Sequence, residues 1–258
     1  MVREISETRG GSNLWMTDNR RGVKAMKKAP ILGIMGGAIA AGTALFAYER
    51  FIRPWHLRWG ATDEETAGRL PGDDVKPDAS LQVTHAVTID APPDAVWKWL
   101  VQIGQDRGGF FSYDWLENAL GLGIHNVNAL MPEYQHLKVG DFVRSAHRGW
   151  LGGRFDETAG WYVITLETDR TLVLRDEIEH GSWSFILRRL PGDMTRLIIR
   201  ARSDQPDSFG EKMLYYGFWE PAHFIMERKM LLTLKEKAEA TAHPRHEISE
   251  DLEVPASC

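Results

Sequence analysis

The stretch Leu81–Gly123 constrains this chain most. It reads as a strand, a double-proline entry into a helix, a glycine turn and a second helix. Val83, His85, Val87 and Ile89 alternate with Gln82, Thr84, Ala86 and Thr88, the period of a strand with one buried face. Asp90 is placed to cap the following helix. Pro92 and Pro93 suit its first turn, where a backbone N–H has no intrahelical partner to lose. Val96, Trp97, Leu100, Val101 and Ile103 then make a broad apolar helical face. Gly108 and Gly109 permit a tight reversal into Ser112, a capping residue for a helix over Tyr113–Leu120.

Downstream, strands are expected over Asp141–Ala146, Trp161–Glu167, Thr171–Asp176, Trp183–Leu190 and Thr195–Ser203. Asp169-Arg170 and Pro191-Gly192-Asp193 supply turns, and glycine-rich His147–Gly160 reads as a hairpin loop. Close strands with short turns predict a curved antiparallel meander. The last element is a helix from Tyr215 to Ala240, kinked or restarted at Pro221. One broad side carries Trp219, Ala222, Ile225, Met226, Met230 and Leu234, with Glu227, Arg228, Lys235 and Glu236 largely elsewhere.

These residues resemble the helix-grip superfamily of START-like and Bet v 1-like (SRPBCC) domains, which includes polyketide cyclase-like and lipid-transfer members. The likeness is carried by TIDAPPDAVWKWLVQIG, RGGFFSYDWLENALGL, SWSF at 182–185 and FIMERKMLLTLKEKAE, and it spans Arg53 to Ala240. It points to a membrane-associated bacterial subgroup. The resemblance implies an α+β helix-grip fold, a curved antiparallel sheet wrapped around a long C-terminal helix, with an apolar ligand held between them.

Before the domain, residues 1–28 form a polar basic tail, and 29–48 read APILGIMGGAIAAGTALFAY without a charge. Twenty residues at about 1.5 Å each span about 30 Å, the thickness of a hydrocarbon core. Three readings compete: a single transmembrane anchor, which leads, a cleaved signal peptide, and a soluble Gly/Ala helix. Arg20, Arg21, Lys24, Lys27 and Lys28 precede the run, against Arg50, Arg53 and Arg58 after it. The positive-inside rule then places the globular domain on the extracytoplasmic side of a single-pass protein. Gly33 and Gly37 form a GxxxG pair that suits a homodimer through that helix. Residues 49–80 read as a juxtamembrane linker with a short helix at Asp63–Leu70, 81–242 as the domain and 243–258 as a disordered tail. Phe51, Trp55 and Trp59 suit either interfacial anchoring or packing onto the domain.

A net charge of −5 argues against a nucleic-acid binder. The single cysteine, Cys258, excludes an intrachain disulfide and any cysteine-based metal site. No HExxH, GxSxG, Walker or dinucleotide pattern occurs, so no metal, no cofactor and no catalytic residue is assigned. The expected cavity lining is Phe110, Phe111, Tyr113, Trp115, Trp183, Met226 and Met230, aromatic and thioether groups that serve ordinary core packing equally well. Arg196, Arg200 and Arg202 share one strand face, read as a solvated outer row or a lipid-phosphate contact. The expected partners are a hydrophobic small molecule or lipid (lipid, quinone or polyketide-like), held or transferred at a membrane without catalysis. The alternatives are a cyclase or hydrolase-type enzyme using Asp106, Asp114 or His125, from a cluster that also holds Arg107 and Glu117, and a ligand-free interaction domain.

Overall fold

The alternation of Val83, His85, Val87 and Ile89 with their neighbours makes Leu81–Ile89 β1, the first strand of a six-stranded sheet, and Thr84–Val87 are buried on both faces. The structure, a computed structural model, describes residues 43, 46–178 and 180–244. Contacts divide the chain into two units, Met1–Ala47 and Tyr48–Cys258, and the second carries the domain. Its other strands are β2 (Phe142–Arg144), β3 (Gly160–Glu167), β4 (Thr171–Asp176), β5 (Ser182–Leu190) and β6 (Met194–Ser203). The order is β1-β6-β5-β4-β3-β2 and every neighbouring pair is antiparallel. A register shift between Val163 and Thr165 helps to bend the sheet.

The helices are α1 (Arg53–His56), α2 (Asp63–Ala67), α3 (Pro93–Leu100), α4 (Asp114–Ala119), α5 (Phe209–Leu214) and α6 (Glu220–Ala242). The prolines do open α3, but its cap position is Pro92, not Asp90. Tyr113 likewise takes the cap position of α4 that Ser112 was expected to hold. A turn of π-helix at Tyr215–Trp219 joins α5 to α6. Trp219 and Glu220 keep helical backbone angles, and Pro221 sits in the first turn of α6, so the rod does not break there.

Val87, Ile89, Leu174, Phe185, Leu187, Leu197 and Ile199 project from the inner face of the sheet into the main core. Met230, Leu231, Leu234 and Ala238 of α6 close this core together with α3. This is the C-terminal half of α6. In the N-terminal half the only buried residue is Glu220, so that half does not seal against the sheet.

The stretch expected to link membrane and domain is instead part of the fold. Leu70 and Ala61 cover Ala86, Ile186 and Ile198 on the outer face. The N–H groups of Thr84 and Ala86 on edge strand β1 donate to the carbonyls of Leu57 (2.8 Å) and Trp59 (3.2 Å). Gly60 makes that approach feasible: its φ is +73°, and a Cβ there would lie 2.1 Å from the Ala86 carbonyl oxygen. The arginine row is therefore not solvated. Arg200 is 1% exposed and donates to Asp73, while Arg196 pairs with Glu65. Their acidic partners come from 65–73, not from neighbouring strands.

Helix α2 stops at Ala67, short of the expected Leu70, because Gly68 is extended. It opens with a capping box: Thr62 Oγ1 accepts from Glu65 N–H at 3.2 Å, and Glu65 Oε2 accepts from Thr62 N–H at 2.9 Å. Thr62→Ala is expected to cost about 1 kcal/mol, read as a lowered urea midpoint at unchanged slope.

Among the described residues, no helix is long and apolar enough to cross a membrane. The span expected at 29–48 lies almost wholly outside the described residues, as do Gly33 and Gly37, the basic tail and most of 243–258.

Candidate functional site

Because the two halves of α6 differ, space opens under the upper half. A cavity of about 580 Å³ lies between the inner face of the sheet, α4 and the segment from α5 to α6. That falls in the ~300–1,000 Å³ range usual for small-molecule sites. Leu81, Val83 and His85 of β1 form one wall and Trp161 and Trp183 another. Trp219, His223, Met226, Glu227 and Met230 of the rod roof it. Phe110, Trp161 and Trp183 pack ring on ring, with centroids 5.0–6.1 Å apart, and stiffen one side.

Of the seven residues expected to line a cavity, Phe110, Trp183, Met226 and Met230 do so. Phe111, Tyr113 and Trp115 do not. At Phe111 the backbone turns to φ +57°, and its side chain packs against Trp99 at 5.8 Å, fully buried in the core. Tyr113 precedes α4, its ring beside Trp115 and Lys229. Trp115 is 70% exposed on α4.

Asp106, Asp114 and His125 are also outside the lining. The half-exposed Asp106 pairs with Arg144 at 3.7 Å. Asp114 accepts from the Asn126 amide, and His125 is exposed. The enzyme alternative thus loses its three named groups. Glu117, from the same cluster, does line the cavity and is fully buried. Neither of its carboxyl oxygens has a hydrogen-bond partner among the described residues. Burial, with a smaller contribution from Asp114, pushes its pKa up to about 7.

The polar groups that reasoning from sequence missed sit on β1, α1 and α6. His85 Nε2 lies 2.6 Å from the carbonyl oxygen of His56, which can only accept, so that nitrogen carries a proton. His85 Nδ1 lies 2.9 Å from Glu227 Oε2, and the Trp183 indole donates to Glu227 Oε1 at 2.9 Å. Imidazolium beside carboxylate satisfies every atom. Burial works to lower the His85 pKa, but the charge and hydrogen bond of Glu227 outweigh it and the net shift is upward. Burial likewise raises Glu227, and the pairing with His85, helped by Trp183, carries its carboxyl below the usual range.

About two turns earlier, Glu220 accepts from Arg53 at 2.9 Å, and His56 Nε2 lies 3.1 Å from the same oxygen. Burial opposes its ionisation, and these hydrogen bonds reverse that, holding Glu220 below the carboxylate range. His223 between them is exposed by area, yet protein crowds it and burial lowers its pKa. A signal for this set existed. Trp219, His223, Met226 and Met230 recur at helical spacing, Glu220 and Glu227 are seven apart, and His85 belongs to the inward set of β1. Among the described residues no group of three or more His, Cys, Asp or Glu side chains is placed to hold a metal ion.

The decisive observation is the antiparallel order β1-β6-β5-β4-β3-β2 with α3 and α4 between β1 and β2, and a long C-terminal helix across the inner face. The chain has the helix-grip fold. No protein-family model and no curated relative matches the sequence. Solved structures that match include the Zhui aromatase/cyclase of Streptomyces sp. R1128, at 18% identity over 64% of this chain and 96% of that one, with a TM-score of 0.40. Another is a polyketide-cyclase-like protein of Corynebacterium glutamicum, at 15% identity over 64% and 96% of the two chains, TM-score 0.33. A third is the self-sacrificing resistance protein CalC of Micromonospora echinospora, at 12% identity over 64% and 97%, TM-score 0.38. At such identities and scores, the helix-grip assignment rests on this chain's own strand order and helix placement.

Proposed function

We propose that this helix-grip protein holds or transfers a hydrophobic small molecule at a membrane, the ligand lying in the cavity beneath the upper half of α6. The observation that carries the reading is the cavity itself: about 580 Å³, walled by Leu81, Val83, Phe110, Trp161, Trp183 and Met226. A void of that size has room for many waters at ~30 Å³ each, which argues against an interaction domain filled by its own side chains. Apolar burial at about 25 cal/mol per Å² would drive binding, so affinity should rise with ligand carbon content.

Two features support the membrane. The uncharged run 29–48 ends where the domain begins. Directly after it, Phe51, Ile52 and Trp55 are 66, 51 and 55% exposed, large apolar groups that water does not favour. Native mass spectrometry of the full chain, extracted gently from membranes, should show a reproducible small-molecule adduct. A domain that arrives empty and takes up no lipid, quinone or aromatic polyketide would sink the proposal.

Catalysis is the second reading, and Glu117 is the observation that favours it: an unpartnered carboxyl with a pKa near neutrality suits acid–base work. Turnover of a captured ligand by the native chain, lost in Glu117→Gln, would decide for it.

A further inference from the structure

If the cavity holds an apolar molecule, its polar fittings define what else that molecule carries. His223 and Glu227 are four residues apart and so lie one above the other on α6, and both line the lumen. Glu227 uses one carboxylate oxygen toward His85 and the other toward Trp183. Each oxygen retains a further acceptor position, and the side chain is 14% exposed. The His223 ring lies 6.0 Å from that of Trp219, and no hydrogen bond to it is seen among the described residues. Burial lowers the pKa of this imidazole, and its neutral form has one nitrogen free to accept.

Charge decides between ligand classes. Glu227 is already matched by His85, and Glu220 by Arg53. An ammonium beside α6 would lose its hydration next to two acids that are already matched, and Glu117, the lining acid without a partner among the described residues, belongs to α4 and not to this group. A carboxylate or phosphate would meet the acceptor side of Glu227, and the guanidinium of Arg202, a residue of the lining, is taken up by the carbonyls of Lys76 and Pro77 and by Gln82. A wholly apolar ligand would leave acceptors on Glu227 and His223 dry and unpaired, which is costly. What remains is a neutral donor.

We propose that the cavity selects an uncharged, largely apolar molecule bearing a hydroxyl, and that His223, on the same face of α6 as Glu227, accepts the one hydrogen bond that this hydroxyl can donate. This rests on the cavity-binding reading above and names its ligand class.

The test uses four probes of one size on the full chain: naphthol, methoxynaphthalene, naphthoate and naphthylmethylammonium. Titration is followed by tryptophan fluorescence, because Trp183 lines the lumen and donates to Glu227, and is checked by calorimetry. Naphthol is expected to bind about tenfold or more tightly than its methyl ether, with both ions weaker than the ether. In His223→Leu, the ratio of naphthol to ether affinity should fall toward one, whatever the change in the ether's own affinity. Equal affinities for naphthol and ether in the native chain would overturn hydroxyl selection and leave the cavity reading standing. A naphthol preference unchanged by His223→Leu would overturn the assignment to His223. Failure of all four probes to bind would remove the cavity reading and this inference with it.

Discussion

Replacing Arg200 by alanine is expected to destabilise the domain by about 3–5 kcal/mol, the range for stripping one partner from a buried ion pair. Arg200 is 1% exposed in the middle of β6 on the outer face of the sheet. Its guanidinium donates to Asp73 Oδ2 and Gly68 O at 2.8 Å, to Glu65 O at 2.5 Å and to Thr66 O at 3.1 Å. Alanine leaves Asp73 without its closest cation and takes the guanidinium donor from the carbonyls of Glu65 and Gly68, while Thr66 keeps the Gln82 amide. Lysine keeps the charge but has no planar fork to reach several acceptors at once, so Arg200→Lys should lie between. Urea unfolding followed by tryptophan fluorescence gives the ordering. A loss below about 1 kcal/mol for alanine, the scale of an exposed ion pair, would show that the segment 61–79 is not clamped to the sheet as described.

The second large effect is in pH. Glu117 has its carboxyl pushed from 4.5 up to about 7 by burial, then by Asp114. Below pH 4.5 the group is protonated whether the chain is folded or not, and its contribution is intact. Between 4.5 and 7 the unfolded chain ionises it while the folded one does not. Stability then falls by about 1.4 kcal/mol per pH unit, reaching ~3 kcal/mol in all, and is flat above. Glu117→Gln cannot ionise, so the difference in unfolding free energy between variant and native chain should change by ~3 kcal/mol across that window in favour of the variant. Taking the difference cancels the other titrating groups, chiefly the His85–Glu227 pair and Glu220. Parallel profiles for the two proteins would refute the shift.

Much of the architecture was legible because it is periodic. β1, β4 and the later strands announce themselves by alternation and turn residues, and the double proline marks the start of α3. The cavity was less legible for a physical reason: a helix face that lines a void and one that packs a core show the same apolar spacing. Met230 does both at once, buried at 2% and part of the lining. Phe110 and Phe111 are adjacent and chemically identical, and only the positive φ at Phe111 sends one to the lumen and the other to α3. Glu227 was assigned to the polar side because its residue type says surface, whereas its partner His85 is 142 positions away and no local pattern joins them. The arginine row misled likewise, since its acceptors lie in a stretch whose Gly, Pro and Asp content reads as a linker.

That stretch changes where the molecule begins. With the carbonyls of Leu57 and Trp59 serving as its own borrowed seventh ribbon beside β1, a fragment trimmed to start at Leu81 would present bare amides along a hydrophobic margin, an invitation to pair with its copies. It would also lose His56 and Arg53, and with them the tether on Glu220 at the head of the roofing helix. The smallest piece that keeps both the sheet and its chamber shut therefore starts some thirty residues earlier than strand patterns advise, at Tyr48, where the compact unit itself starts.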